Sequence, residues 1–271
     1  MEKFRKAYQF VNILSLDVAI GAVSSALFFA KIFGVAILPQ GLISLGLTVW
    51  IIYTADHLLD AKKVQQSAAT ARHRFHQQHF KVLLMVMIVA LLVDATQVIL
   101  IRKSVFIEGL LLALIVAIYF LLQQRLKFLK EFVGALLYTY GVLLIPLSVR
   151  IEVLTPAQMV LMIQFGLTAL INLMLFSWFD FQHDARDEQQ SFTTTFGERT
   201  TKKFIMVLFL IMVLLSALQF MVSYNSSAST ILILMNAMLL FIFLNKEYFK
   251  VNDRYRLLGD SIFIFPLALL V

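Results

Sequence analysis

Long apolar runs alternate along the chain with short polar breaks. A run of about 20 apolar residues is long enough to cross a bilayer core as a helix. Nine such runs can be drawn, at 10–33, 41–60, 81–101, 104–122, 131–149, 156–180, 203–222, 229–245 and 256–271. The breaks "GVAILPQG", "VLTPAQ" and "SYNSSAST" carry the Gly, Pro, Asn and Ser that end helices. The pattern predicts an all-α polytopic protein with nine transmembrane helices in a single membrane domain over residues 1–271. The second and sixth runs end alike, four runs apart, which suggests two four-helix halves followed by a final helix.

Composition strengthens the membrane reading. The chain is 61% hydrophobic and only 14% charged, against about 25% charged in soluble domains. Its mean hydropathy is +0.86. There is no cysteine, which excludes disulfides and thiolate ligands. The basic start "MEKFRKAYQF" runs into a long apolar stretch with no small-residue cleavage site, so it is read as the entry to a retained first helix. A net charge of +7 could suggest nucleic acid, but the basic residues cluster in the short loops between runs. With the N-terminus inside, the 23 Lys and Arg divide 19 inside to 4 outside. That asymmetry predicts a multi-pass cell-membrane protein with a cytoplasmic N-terminus and an external C-terminus, and no nucleic-acid partner.

In this topology the second and sixth runs both end at the cytoplasmic face in an acidic pair. Asp56 and Asp60 lie four apart, as do Asp180 and Asp184, with Asp187 following. Residues four apart share a helix face, so each pair presents two carboxylates in one direction. Facing pairs would repel unless a cation lay between them. A hard divalent cation such as Mg2+ is suited to one or two carboxylates plus substrate phosphate oxygens. Nearby loops supply Arg72 and Arg74, then Arg125, Lys127 and Lys130, as counter-charges for a diphosphate. A lone pair of this kind would also serve as solvated punctuation at a span end, but two with equal spacing on one side argue for a site. His73, His76 and His79 recur every third residue, as solvated loop histidines or as transition-metal ligands. Asp17 and Asp260 fall in inner halves of spans, at a cavity mouth, whereas Asp94 and Glu108 fall in outer halves, away from the acidic pairs. The 25 Phe read mainly as lipid-facing or packing residues.

The two acidic stretches carry a resemblance to the UbiA-type integral membrane prenyltransferases, a family of nine-span proteins with Asp-rich motifs on the second and sixth spans. The family's first motif has the form NDxxDxxxD. Here "IYTADHLLD" matches it at Asp56 and Asp60, with Ile52 and Tyr53 in place of the Asn and first Asp. The second motif resembles "DFQHDARDEQQSFTTTFGERTTKK", through Asp180, Asp184, Ser191 and Gly197, with "EQQ" where a basic Gly-Lys segment is usual. "RLKFLKEF" is similar to the loop after the fourth span and puts Lys127 at a diphosphate-binding position, and "LLGDSIFIFP" is similar to the last span.

The resemblance implies a Mg2+-dependent transfer of a prenyl group from a prenyl diphosphate to a lipophilic acceptor, in contact with membrane lipids. Asp56, Asp60, Asp180 and Asp184 would be the catalytic metal-holding residues. Arg72, Arg74 and Lys127 would bind the diphosphate, and Asp187, Ser191 and Lys130 would assist. Two alternatives stay open: a terpene cyclase with no acceptor, and a non-catalytic lipid-binding or transport protein on the same scaffold.

Overall fold

The computed structural model describes residues 2–63, 70–222 and 226–270, and among these it is helical with no strand. The helices run α1 (Glu2–Ile13), α2 (Leu16–Phe33), α3 (Pro39–Lys63), α4 (Ala71–Gln78), α5 (Phe80–Val98), α6 (Lys103–Leu126), α7 (Lys130–Ser148), α8 (Pro156–Phe179), α9 (Phe181–Arg186), α10 (Phe192–Val222), α11 (Ser226–Leu244), α12 (Lys246–Lys250) and α13 (Arg254–Ser261). Among the described residues eight helices are long and apolar enough to cross a membrane: α2, α3, α5, α6, α7, α8, α10 and α11. The polytopic all-α expectation is met.

The boundaries have local causes. The expected first run is split at Ser15, whose φ of 56° breaks the helix, so α1 lies apart and the span begins at Leu16. α2 ends at Gly34, where a left-handed backbone turns the N–H groups of Gly34 and Val35 back to the carbonyls of Lys31 and Ala30. α8 opens with a capping box. Thr155 Oγ1 accepts from the Gln158 N–H at 3.3 Å, and Gln158 Oε1 accepts from the Thr155 N–H at 3.0 Å, with Pro156 in the first turn. α10 begins at Phe192 rather than at 203 and bends at Gly197. The break expected at 223–230 lies partly outside the described residues.

The ninth run is built differently from the expectation. α13 is eight residues long and passes into a 3-10 stretch, Ile262–Leu269, that contains Pro266. Proline lacks the N–H that an α-helix needs and crowds the preceding turn, so a long final α-helix does not form. The segment still belongs to the bundle, packing along α2 and against α11.

α8 is the central helix, mostly buried among α7, α10, α11 and α13. α5 and α6 lie at the periphery, where Leu92 and Leu110 are 65% and 62% exposed. Apolar side chains exposed in bulk on whole helices suit lipid rather than water. The contact of α2 with the final segment depends on Gly21: a Cβ there would stand 2.8 Å from Phe263 Cβ. By contrast, a Cβ at Gly109 in α6 would meet nothing within 4 Å. Overpacking a filled contact costs about 1–3 kcal/mol. Gly21→Val is therefore expected to lower the thermal midpoint of the detergent-purified protein, while Gly109→Val leaves it unchanged; melting curves of the two variants check this.

Candidate active site

A cavity of about 1120 Å³ opens among α3, α5, α6, α7 and α8 and reaches α4 and α13. One end is walled by Val98, Ile101 and Val105, at the far end of α5 and the start of α6. The other end gathers Asp56 and Asp60 from α3, Asp180 from the α8–α9 junction, Asp184 from α9, and Asp187. The two acidic pairs, more than a hundred residues apart in sequence, thus border one cavity. Between the ends the wall is apolar and made roomy by small residues, including Gly109, Ala113 and Ala117 on α6 and Gly134 and Gly141 on α7. From Tyr119 to Gly109 the helix rises about 15 Å, so the chamber is deep.

Acids outnumber bases on this wall among the described residues: nine Asp and Glu line the cavity with three basic residues, Arg72, Lys130 and Arg256. Two of those cations are already paired. Arg72 Nη2 lies 3.3 Å from Asp260 Oδ2, and Arg256 Nη2 contacts Asp180 Oδ2. Burial pushes the Asp184 carboxyl up to about 7, with Lys130 pulling it down and the Asp180 charge pushing it further up. His73, half-buried beside the mouth, is pulled down to about 4, first by burial, while Asp60 acts to raise it and Arg256 to lower it. This imidazole therefore senses both motifs.

The expected site residues fall into two groups. Asp56, Asp60, Asp180, Asp184, Asp187, Lys130, Ser191 and Arg72 line the cavity. Arg74 and Lys127 are not among its lining residues, and Lys127 opens a 3-10 turn, Lys127–Leu129, with φ of 49°. Ser191 also caps α10, accepting from the Thr194 N–H at 3.3 Å, and the same helix start is held by Glu131, whose Oε1 accepts from the Phe192 N–H at 2.9 Å. Asp94 lies on the cavity wall after all, accepting from Thr48 Oγ1 at 2.9 Å. The histidines are not a solvated triplet. His76 is 1% exposed with Nδ1 2.9 Å from the Arg72 carbonyl, and His79 stacks on Phe75.

Arg72 does more than border the mouth. Its Nη2 donates to Asn12 Oδ1 at 2.8 Å and to the Asn12 carbonyl at 3.1 Å. The Asn12 amide in turn donates to Asp17 at 2.6 Å and to Asp260 at 2.8 Å. One buried network so ties α1, α2, α4 and α13 together across the acidic end of the cavity. Sequence reasoning placed Asp17 and Asp260 at the mouth but missed this role of Asn12. It also missed Tyr255 and Arg256, which contact the two Asp180 oxygens. A usable signal was present: Arg256 and Asp260 are themselves four apart at the start of the last span.

Among the described residues no three His, Asp or Glu side chains come together closely enough to hold a metal ion by themselves. The donor set does fit a hard cation that takes its remaining ligands from a substrate's phosphate oxygens, because the wall carries a surplus of carboxylates and no soft ligand.

Solved structures with the same architecture exist. A UbiA homologue from Archaeoglobus fulgidus bound to GPP and Mg2+ aligns with TM-score 0.68 at 15% identity, over 96% of this chain and 99% of that one. The same homologue bound to DMAPP and Mg2+ gives 0.66 at 14% identity, over 96% and 98%. A structure of digeranylgeranylglyceryl phosphate synthase gives 0.54 at 14% identity, over 98% of each chain. The fold is the UbiA fold. No protein-family model and no curated protein sequence matches the chain. At these identities the likeness concerns the fold alone, and the UbiA fold here carries its own pattern of residues at the mouth.

Removing one member of a buried ion pair leaves the other uncompensated, at a cost of about 3–5 kcal/mol. Arg72→Ala is expected to lower the thermal midpoint sharply. Asp260→Asn, which keeps a hydrogen-bond acceptor for Arg72, is expected to do so less. A ranking with Asp260→Asn the worse of the two would contradict the network.

Proposed function

We propose that the protein is a prenyltransferase that binds a prenyl diphosphate with its head at the acidic end of the cavity and its tail in the apolar chamber, and passes the prenyl group to a lipophilic acceptor. The observation that carries this reading is the shared cavity: two Asp-x3-Asp pairs at one end of a deep apolar space. The UbiA homologues bound to DMAPP or GPP with Mg2+ support it through their common fold. The charge split of the loops supports a cytoplasmic acidic end, a cytoplasmic N-terminus and an external C-terminus.

Asp56, Asp60 and Asp184 would hold a divalent cation such as Mg2+, and when bound it would supply positive charge against the leaving diphosphate. Lys130 adds charge from the same wall. The diphosphate leaves as the allylic C–O bond breaks, and the chamber keeps water from the carbocation. Tyr53, Tyr119, Phe120 and Phe176 are among the wall residues, and aromatic rings suit a delocalised cation. Chamber depth favours tails of more than one isoprene unit.

The non-catalytic alternative draws on one feature, Tyr53 where the family motif has its first Asp. It differs in outcome: such a protein would bind a prenyl diphosphate without releasing diphosphate. Asp56→Ala and Asp60→Ala are expected to abolish Mg2+-dependent diphosphate release by purified protein in lipid nanodiscs while leaving the thermal midpoint near wild type. Wild-type release by both variants would overturn the assignment. Release without an acceptor, accompanied by hydrocarbon products, would point to the cyclase.

Gly109 tests the tail's position. A Cβ there meets nothing within 4 Å and Gly109 lines the chamber, so a Phe at this position would take up chamber space. Shape discrimination of this kind is worth about 10–200-fold. Gly109→Phe is expected to retain turnover of a five-carbon donor and lose it for long-chain donors. Equal loss for all donor lengths in a competition assay would remove the tail from this wall.

A further inference from the structure

Asp180 is the most enclosed of the four paired carboxylates, at 3% exposure, and both of its oxygens are engaged by the chain itself. Tyr255 Oη donates to Oδ1 and Arg256 Nη2 donates to Oδ2. Neither donor is loosely placed. The Tyr255 ring stacks on Phe179 with centroids 4.4 Å apart and planes 6° from parallel. The Arg256 guanidinium lies 5.0 Å from the centre of the Phe176 ring, in cation–π range. The helix that carries both residues approaches α8 closely at Gly259, where a Cβ would stand 2.5 Å from Asn172 Oδ1 and 2.8 Å from the Phe176 ring. A side chain at 259 would push α13 off α8 and take Arg256 away from Asp180.

A metal ion at Asp180 would have to displace a guanidinium held by a carboxylate and a ring. Arg256 nevertheless lines the cavity. Arginine carries five N–H donors in a planar fork that matches phosphate oxygens, and Arg256 reaches Asp180 through Nη2. Arg72, the other arginine of the wall, is committed to Asn12 and Asp260.

We propose that Arg256 is a resident cation of the second acidic pair: it is anchored by Asp180 and grips the donor's diphosphate directly, so that Asp180 positions an arginine instead of ligating a metal. The inference rests on the prenyl-diphosphate reading of the cavity. It divides the labour of the mouth unequally. Asp56, Asp60 and Asp184 serve the divalent cation, whereas Asp180 and Tyr255 serve Arg256. The site then takes one divalent cation per chain.

The test uses the full-length protein in nanodiscs with a thiolo-diphosphate analogue of geranyl diphosphate, which binds without ionising. Bound Mn2+ is counted by electron paramagnetic resonance, and analogue affinity is measured with Mn2+ and with chelator. Wild type is expected to bind one Mn2+ per chain and to retain weak analogue binding in chelator. Arg256→Gln is expected to weaken the chelator-resistant binding about tenfold or more, the scale of a lost charge-assisted pair, and Arg256→Lys to restore part of it. Asp180→Asn, which loosens the anchor but keeps the guanidinium, is expected to keep the Mn2+ and to weaken the chelator-resistant analogue binding less than Arg256→Gln does. Loss of Mn2+ in Asp180→Asn, or two Mn2+ per wild-type chain, overturns the role given to Arg256 and leaves the donor reading standing. Failure of wild type to bind the analogue at saturating Mn2+ overturns the donor reading itself and this inference with it.

Discussion

Carboxylates facing one another inside a membrane repel, and the acidic end of the cavity is organised around that repulsion. Among the described residues, nine Asp and Glu share the cavity wall with three basic residues. Charge removed from water is expensive unless it is paired and hydrogen-bonded. The protein compensates part of the excess itself. Arg72 and the Asn12 amide hold Asp260 and Asp17, and Arg256 and Tyr255 hold Asp180. Asp56, Asp60, Asp184 and Asp187 line the same wall as Lys130, an oxygen-rich set suited to a hard divalent cation together with a phosphate-bearing ligand.

The fold exists to deliver these groups to one place. α3 and α8 each end at the same side of the bundle, so that their last turns meet across the cavity mouth. The short helices α1, α4 and α13 close over that side and are laced together by Asn12 and Arg72. Behind the mouth the small residues of α6 and α7 leave a space lined by apolar groups and rings. The cavity therefore joins two environments in series, an acidic mouth and a largely apolar chamber, as the prenyl diphosphate proposed for it joins a charged head to an apolar tail.

Much of this was legible in the sequence because apolar runs and Asp-x3-Asp spacing are local signals. Eight of the nine expected spans form long helices, and both acidic pairs reach one cavity. What escaped was set by tertiary contacts. Pro266 and the close approach at Gly21 shape the last segment in a way that hydropathy does not register. Loop cations were expected at the diphosphate, but Arg74 and Lys127 stay off the cavity wall and Arg72 is turned to Asp260. Arg256 supplies charge there instead, from a segment that reads as the start of a span. Histidines at threefold spacing suggested a solvated or metal-binding set, and burial of His76 against α4's own carbonyl shows a packing role that spacing alone does not reveal.

The most direct test of the central claim is an experimental structure of the protein in lipid with Mg2+ and the geranyl thiolo-diphosphate analogue. The account predicts the diphosphate at the acidic mouth, with a metal ion between it and Asp56, Asp60 and Asp184, and the tail running along α6 toward Gly109. A diphosphate bound elsewhere, or a tail leaving the mouth away from the chamber, would contradict it.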